Sequence, residues 1–328
     1  MTFTHIFAGD PLDRADAERR DAQWITERLA NPDSRILPFW RLNPLATIGD
    51  NPRLAWQGNN ILHSAAAKAE PVLLGINNDI AHFALDVTSS SKSDANSKEI
   101  SEENPIELLG LPDNTLFQDA RGIATEVSGE ESGTLAHARA VVGWHQRNGF
   151  CSNCGATTYS TKGGKERICN SCEAHHFPRT DPVAIMAVTD GERCLLGQTR
   201  VRRRGRFYSA LAGFIDQGES IESAVRREVW EEAGIRVGEV RYHSSQPWPF
   251  PASLMIGCIA RATTTEINID PEEMSDVRWV SREEVLVALD VATKPNYSLT
   301  DETEEAGVRV PGPIAIAHHL IKAWANDE

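Results

Sequence analysis

Between Gly133 and Gln146 apolar residues recur at helical spacing, at Leu135, Ala138, Val141, Val142 and Trp144, and predict a helix. Downstream the text changes. Val183 to Val188 is a short unbroken apolar run that reads as a buried strand. Asp190-Gly191 marks a turn, and Cys194-Leu195-Leu196-Gly197 reads as the return strand. Ser220 to Ala233 predicts a helix with Gly234 as its stop. Leu254 to Ala260 and Val277 to Val280 read as further strands, and Arg282 to Leu289 and Ile314 to Ala325 as helices. Strands and helices that interleave in this way predict an α/β fold for the C-terminal part.

Upstream the pattern is weaker. Short runs such as Ile36-Leu37-Pro38-Phe39-Trp40 and Pro71-Val72-Leu73-Leu74-Gly75-Ile76 suggest a small α+β domain. Residues 89–105 are rich in Ser, Lys and Glu and nearly free of apolar side chains, and predict a flexible surface loop. A chain of 328 residues exceeds what one core usually needs. The expected division is an N-terminal α+β domain over 1–132, a helix with a cysteine segment over 133–180, and an α/β domain over 181–328.

The formal net charge is −14, which argues against a protein that coats nucleic acid non-specifically, because phosphate neutralisation needs Lys and Arg. The N-terminus lacks a basic start followed by an apolar run, and no stretch reaches the roughly 18 apolar residues of a spanning helix. A cytoplasmic protein without membrane association is therefore expected.

Of six cysteines, Cys194 and Cys258 stand alone in apolar runs and read as small buried residues. The other four form two C-x-x-C pairs, Cys151 with Cys154 and Cys169 with Cys172. Two thiolate pairs on opposed turns can close a tetrahedral site, and four thiolates leave no open coordination position. One structural Zn²⁺ per chain is the expectation. A redox C-x-x-C would leave the second pair unexplained.

The segment Gly213 to Ile235 carries Glu228, Glu231 and Glu232. On a helix these lie three and four positions apart, so their side chains converge on one face while Ile221, Val225 and Val229 mark another. Like charges at that spacing repel, and a bound divalent cation reverses the sign. Carboxylate oxygens suit Mg²⁺ or Mn²⁺, which normally also take substrate phosphate oxygens. Arg227 can orient a carboxylate through a bidentate contact. Gly213 and Gly218 let the preceding loop bend against the helix start. A Glu-rich solvated helix is the plain alternative. The full spacing decides against it, because it resembles the Nudix box at every fixed position: Gly213, Glu219, Arg227, Glu228, Val229, Glu231, Glu232, Gly234 and Ile235.

Ten residues later comes Ser245-Gln246-Pro247-Trp248-Pro249-Phe250-Pro251-Ala252-Ser253. Proline fixes φ and removes donors, so this segment reads as a stiff extended wall and not an interior strand. Its aromatics can form a pocket for a flat ring or plug a core beneath a loop; the residues alone leave both open. The segment resembles the SQPWPFP-x-S motif of the NADH pyrophosphatase subfamily of Nudix hydrolases. That subfamily also places a four-cysteine zinc ribbon before the Nudix domain and a divergent domain before that. The resemblance covers roughly residues 134–328 in detail and the remainder only in layout.

The resemblance implies a Nudix α/β/α sandwich with a mixed sheet, and hydrolysis of NADH and NAD⁺ to nicotinamide mononucleotide and AMP. Some members also remove NAD caps from RNA. It implies more than one catalytic Mg²⁺ or Mn²⁺ per site, held by Glu228, Glu231, Glu232, Glu273 and the carbonyl of Ala212, with Arg227 and Glu219 in the catalytic set. Gln246, Pro247, Trp248, Pro249, Phe250, Pro251, Ala252 and Ser253 match the substrate wall. Phe177 and Phe214 match two aromatics that sandwich a ring; at 177 the family more often has Tyr, and Phe keeps the stacking face without the hydroxyl. Ala317 matches a substrate-contacting backbone position, and Arg121 a substrate-facing arginine. A homodimer is implied. The competing reading is a nucleic-acid-binding zinc-ribbon protein whose Nudix domain only senses a nucleotide. Lys162, Lys165, Arg167 and Arg179, with Arg200 and the run Arg202 to Arg204, are its basic residues, and that run is a candidate phosphate contact.

Overall fold

The computed structural model describes residues 5–64, 69–88, 105–200, 207–294 and 307–327. The chain forms two compact units. One comprises residues 1–179 with 249–252, the other residues 180–248 with 253–328. The expected loop at 89–105 lies outside the described residues except for Pro105, which opens a short helix. The arginine run 202–204 also lies outside them.

In the first unit, helix α1 (Ala22–Ala30) precedes strands β1 (Arg35–Trp40), β2 (Asn43–Thr47), β3 (Val72–Asn77) and β4 (Ile80–Asp86). Helix α2 (Pro105–Leu109) and strand β5 (Thr115–Phe117) follow, then α3 (Ala120–Ile123) and α4 (Gly129–Arg147). The sheet order is β3-β4-β1-β2-β5, with only β1 and β4 parallel. Ile36, Leu45, Leu73, Phe83 and Leu85 fill its core. Helix α4 begins four residues earlier than its apolar periodicity indicates, because Ser128 and Glu131 form a reciprocal capping box. The cysteine segment carries the small sheet β6 (Thr158–Thr161), β7 (Glu166–Cys169) and β8 (His175–His176).

The second unit is built on strands β9 (Asp181–Thr189), β10 (Arg193–Thr199), β11 (Leu211–Phe214), β12 (Val237–Trp248), β13 (Ser253–Ala262) and β14 (Met274–Ser281). Their order is β12-β13-β9-β10-β14, with β11 also paired to β9. β13 and β9 run parallel and the other pairs antiparallel, so the sheet is mixed, as expected. Helices α5 (Ile221–Ala233), α6 (Arg282–Ala292) and α7 (Ile316–Ala325) cover it. Alternation along β9 sorts the two faces. Ala184, Met186 and Val188 point toward Val225 and Val229 of α5. Ile185 and Ala187 point toward Val285 of α6 and Leu320 of α7. A sheet with apolar residues on both faces needs a helix layer on each, which gives the α/β/α sandwich.

The motif at 245–253 is not one extended wall. Ser245 to Trp248 end the edge strand β12, Ser253 opens β13, and Pro249 to Ala252 form the turn between them. Pro247 is tolerated because β12 is paired on one side only.

Candidate functional site

Helix α5 owes its start to Ser220, whose side chain accepts from the Ser223 N–H, and its end to Gly234 at φ 69°. Burying Val225 and Val229 against the sheet fixes the helix rotation. Glu228 and Glu232 then sit at the edge of the buried face, 9% and 6% exposed, while Glu231 is open to solvent. The Glu228 carboxyl lies against β11, where a Cβ on residue 213 would overlap it, so a side chain there would displace that carboxyl.

Arg227 organises the acids. Its Nε and Nη2 donate to the two oxygens of Glu219 at 2.7 and 2.8 Å. Its Nη1 donates to Glu228 at 2.7 Å and Glu231 at 2.9 Å, and Nη2 also reaches the Phe214 carbonyl at 2.9 Å. The bidentate fork therefore grips Glu219, with single bonds to the helix glutamates. Those bonds hold the Glu219 carboxyl down at about 2. Glu232 has no such relief. Burial, then the charges of Glu228, Glu273 and Glu231, push its carboxyl up to about 8. Its Oε2 is buried without a hydrogen-bond partner. Burial also raises Glu228, against the pull of Arg227.

Glu273, exposed just before β14, acts electrostatically on both Glu228 and Glu232. Ala212 lies on β11 opposite Ile185, two residues before the 60% exposed ring of Phe214. Among the described residues these acids do not draw their oxygens into one tight cluster; only the four cysteines bring ligand atoms within 4.8 Å of one another. A buried carboxyl with an orphaned oxygen, beside further acids, is a donor set that fits a hard divalent cation.

Gln246, expected in the substrate wall, has a fully buried side chain. Its Nε2 donates to the Ile314 carbonyl and its Oε1 accepts from the Ile316 N–H, both at 2.8 Å. Ala315 offers α7 no side-chain cap, so Gln246 supplies one from a distant strand. Sequence spacing carries no signal for such a contact. Ala317 sits in the first turn of α7 with its methyl group in the core.

In the first unit, Cys151 and Cys172 approach to 3.6 Å between sulfurs, and Cys154 and Cys169 to 3.4 Å. The knuckles are matched turns. Asn153 N–H donates to Cys151 Sγ, and the Ser171 and Cys172 N–H groups to Cys169 Sγ. Those two N–H groups pull the Cys169 thiol down to about 6. The geometry is that of a four-thiolate metal site. Cys194 and Cys258 are buried, as expected.

Phe177 is 62% exposed beside His175, and belongs to a different unit from Phe214. Arg121, on α3, places its guanidinium 4.3 Å from the ring centroid of Phe250. Arg139 of α4 lies at the same distance from that ring, a residue that sequence reasoning missed.

Residues 178–302 match the NUDIX domain model, and residues 33–144 the NADH pyrophosphatase-like rudimentary NUDIX domain. The chain is 36% identical to the human NAD-capped RNA hydrolase NUDT12, over 98% of this chain and 73% of the relative. It is 37% identical to the human mitochondrial NAD(P)H pyrophosphatase NUDT13, over 76% of this chain and 69% of that protein. The NAD-capped RNA hydrolase of Schizosaccharomyces pombe is 31% identical, over 99% of this chain and 94% of the relative. With the carboxylate helix, the SQPWPFP turn and the four-cysteine cluster in one chain, these likenesses fix the family: the chain belongs to the NADH pyrophosphatase subfamily of Nudix hydrolases.

Proposed function

We propose that the chain hydrolyses the diphosphate bond of NADH and NAD⁺, giving nicotinamide mononucleotide and AMP by attack of water on phosphorus. The observation that carries this reading is Glu232: a buried carboxyl with an unpartnered oxygen, among Glu228, Glu231 and Glu273. A plain structural helix gains nothing from that arrangement, whereas a site for cations and diphosphate requires it.

Glu228, Glu231, Glu232 and Glu273, with the Ala212 carbonyl, would hold more than one Mg²⁺ or Mn²⁺. Bound there, such ions neutralise a diphosphate and lower the pKa of a water. Arg227, held by Glu219, keeps Glu228 and Glu231 oriented. Phe214 and Phe177 each present an exposed aromatic face, and in a homodimer one subunit's Phe214 and the partner's Phe177 would sandwich the ring. Cys151, Cys154, Cys169 and Cys172 would hold one structural Zn²⁺. A cytoplasmic homodimer is part of this reading; no helix among the described residues is long and apolar enough to cross a membrane.

Removal of NAD caps from RNA is the second reading, favoured by the names of the human and yeast relatives. It uses the same chemistry on a larger substrate. A nucleic-acid binder with a sensing Nudix domain is disfavoured, because binding alone does not need the intact acid set. The test is a substrate panel of NADH, NAD⁺, ADP-ribose and NAD-capped RNA with Mg²⁺ or Mn²⁺ and product identification. Release of nicotinamide mononucleotide and AMP supports the proposal. Faster turnover of ADP-ribose than of either NAD form overturns it.

A further inference from the structure

Residues opposite one another in an antiparallel pair point to the same face of a sheet, and so do residues two apart along one strand. The register of β7 with β8 sets Ile168 opposite His175 and Arg167 opposite His176. One step further along that register stand Glu166 and Phe177. Glu166, Ile168, His175 and Phe177 therefore share one face of the small sheet, with His175 diagonal to Glu166. The side chains make the corresponding contacts. His175 Nδ1 meets the Glu166 Oε1. The imidazole plane lies 23° from that of the Phe177 ring, with centroids 6.4 Å apart.

Glu166 is only 1% exposed, and a buried carboxylate needs cationic partners. Lys162 supplies one, its Nζ 2.6 Å from Oε2. It does so from the turn after β6, with its own backbone in the left-handed region at φ 50°. Burial alone would raise the Glu166 carboxyl; Lys162 and then His175 bring it below its ordinary value. One end of His175 is thus pinned while the side chain stays half exposed.

Phe177 is held by less. Its ring is 62% exposed, and His175 is its one aromatic neighbour among the described residues. Pro178 biases the Phe177 backbone to extended conformations but does not fix χ1. A ring that must be ordered when a ligand arrives costs affinity, and a ring already ordered costs less. We propose that His175, pinned by Glu166 and Lys162, is a positioning residue that holds the Phe177 ring ready to stack on the substrate. The inference rests on the reading of Phe177 as a stacking face, and adds to it Glu166 and His175, to which no motif assigns a role.

The test is steady-state NADH hydrolysis with Mn²⁺ by the full-length protein. His175 acts on the substrate only through a ring, so His175→Ala raises KM roughly threefold to tenfold and leaves kcat within about twofold. His175→Phe, which keeps a stacking ring, recovers most of the loss; His175→Gln, which keeps a donor to Glu166 but no ring, does not. Glu166→Gln raises KM less than His175→Ala. The double variant of His175→Ala with Phe177→Ala has the KM of Phe177→Ala alone, because residues that act through one contact are not additive. Zinc content and melting temperature are measured on each variant; should His175→Ala lose zinc, His175→Gln decides. If Phe177→Ala raises KM while the His175 variants do not, or if the two losses simply add, this inference is overturned and the role of Phe177 stands. If Phe177→Ala leaves KM unchanged, the stacking role itself fails and the inference fails with it.

Discussion

Gly213 and Glu228 are packed so closely that a Cβ on the glycine would overlap the glutamate carboxyl, which would have to move. The β11 backbone is thus the floor on which the buried acid rests, one residue after the Ala212 carbonyl. Gly213→Ala must displace Glu228, and metal ligands tolerate little displacement. NADH hydrolysis with Mn²⁺ should fall about 100-fold, in the range seen when the groups orienting a metal ligand are removed, while the melting temperature changes by a few degrees. Unchanged turnover would show that the position of Glu228 is not critical.

Arg227 joins Glu219, Glu228, Glu231 and the Phe214 carbonyl through one planar group. Lysine carries the charge without the fork. Arg227→Lys should reduce kcat about 10- to 100-fold and raise the Mn²⁺ concentration needed for half-maximal activity. The far-ultraviolet spectrum should not change.

Glu232 links stability to pH. In the metal-free fold its carboxyl stays protonated to about 8, whereas in the unfolded chain it ionises near 4.5. Between those values the unfolded state binds fewer protons, so stability falls as pH rises, by at most about 1.4 kcal/mol per pH unit. This contribution is complete below pH 4.5 and lost as pH passes 8. A divalent ion competes with that proton. Melting curves in EDTA should drop between pH 5.5 and 8, and Mn²⁺ should raise the melting temperature more at pH 8 than at pH 5.5. An equal rise at both would separate Glu232 from the metal.

The two cysteine knuckles differ in the residue that follows the second cysteine. Gly155 follows Cys154 at φ 76°, and Glu173 follows Cys172 at φ 58°. A side chain in this left-handed region costs about 1 kcal/mol. Glu173→Gly should raise the melting temperature slightly, and Gly155→Glu should lower it. Elemental analysis should find one Zn per chain, and stripping it should unfold the cysteine segment, since a four-thiolate site is folding energy.

Much of the second unit was legible because its signals are local. The apolar run of β9, the Asp190-Gly191 turn and the stop at Gly234 each declare themselves within a few residues. Helical period brings Glu228, Glu231 and Glu232 near one another along α5, but it does not tell that Glu231 stays open to solvent while the other two are buried. What stayed hidden depends on contacts distant in sequence. β12 has its polar and apolar residues mixed because it is an edge strand, so its pattern is weak. Gln246 is buried by capping a helix some seventy residues away. Arg139 lies within a helix read only for its apolar face, and its place over Phe250 is set by the fold.

The central claim is that the acids of α5 gather divalent ions for hydrolysis. Electron paramagnetic resonance of Mn²⁺ titrated into wild type and Glu232→Gln, alongside NADH turnover, tests it most directly. The account predicts bound Mn²⁺ in the wild type, its loss or marked weakening in the variant, and a fall in kcat of about 1,000-fold, the several kcal/mol of transition-state stabilisation that such ions supply. A variant that binds Mn²⁺ and cleaves NADH as the wild type does would contradict it.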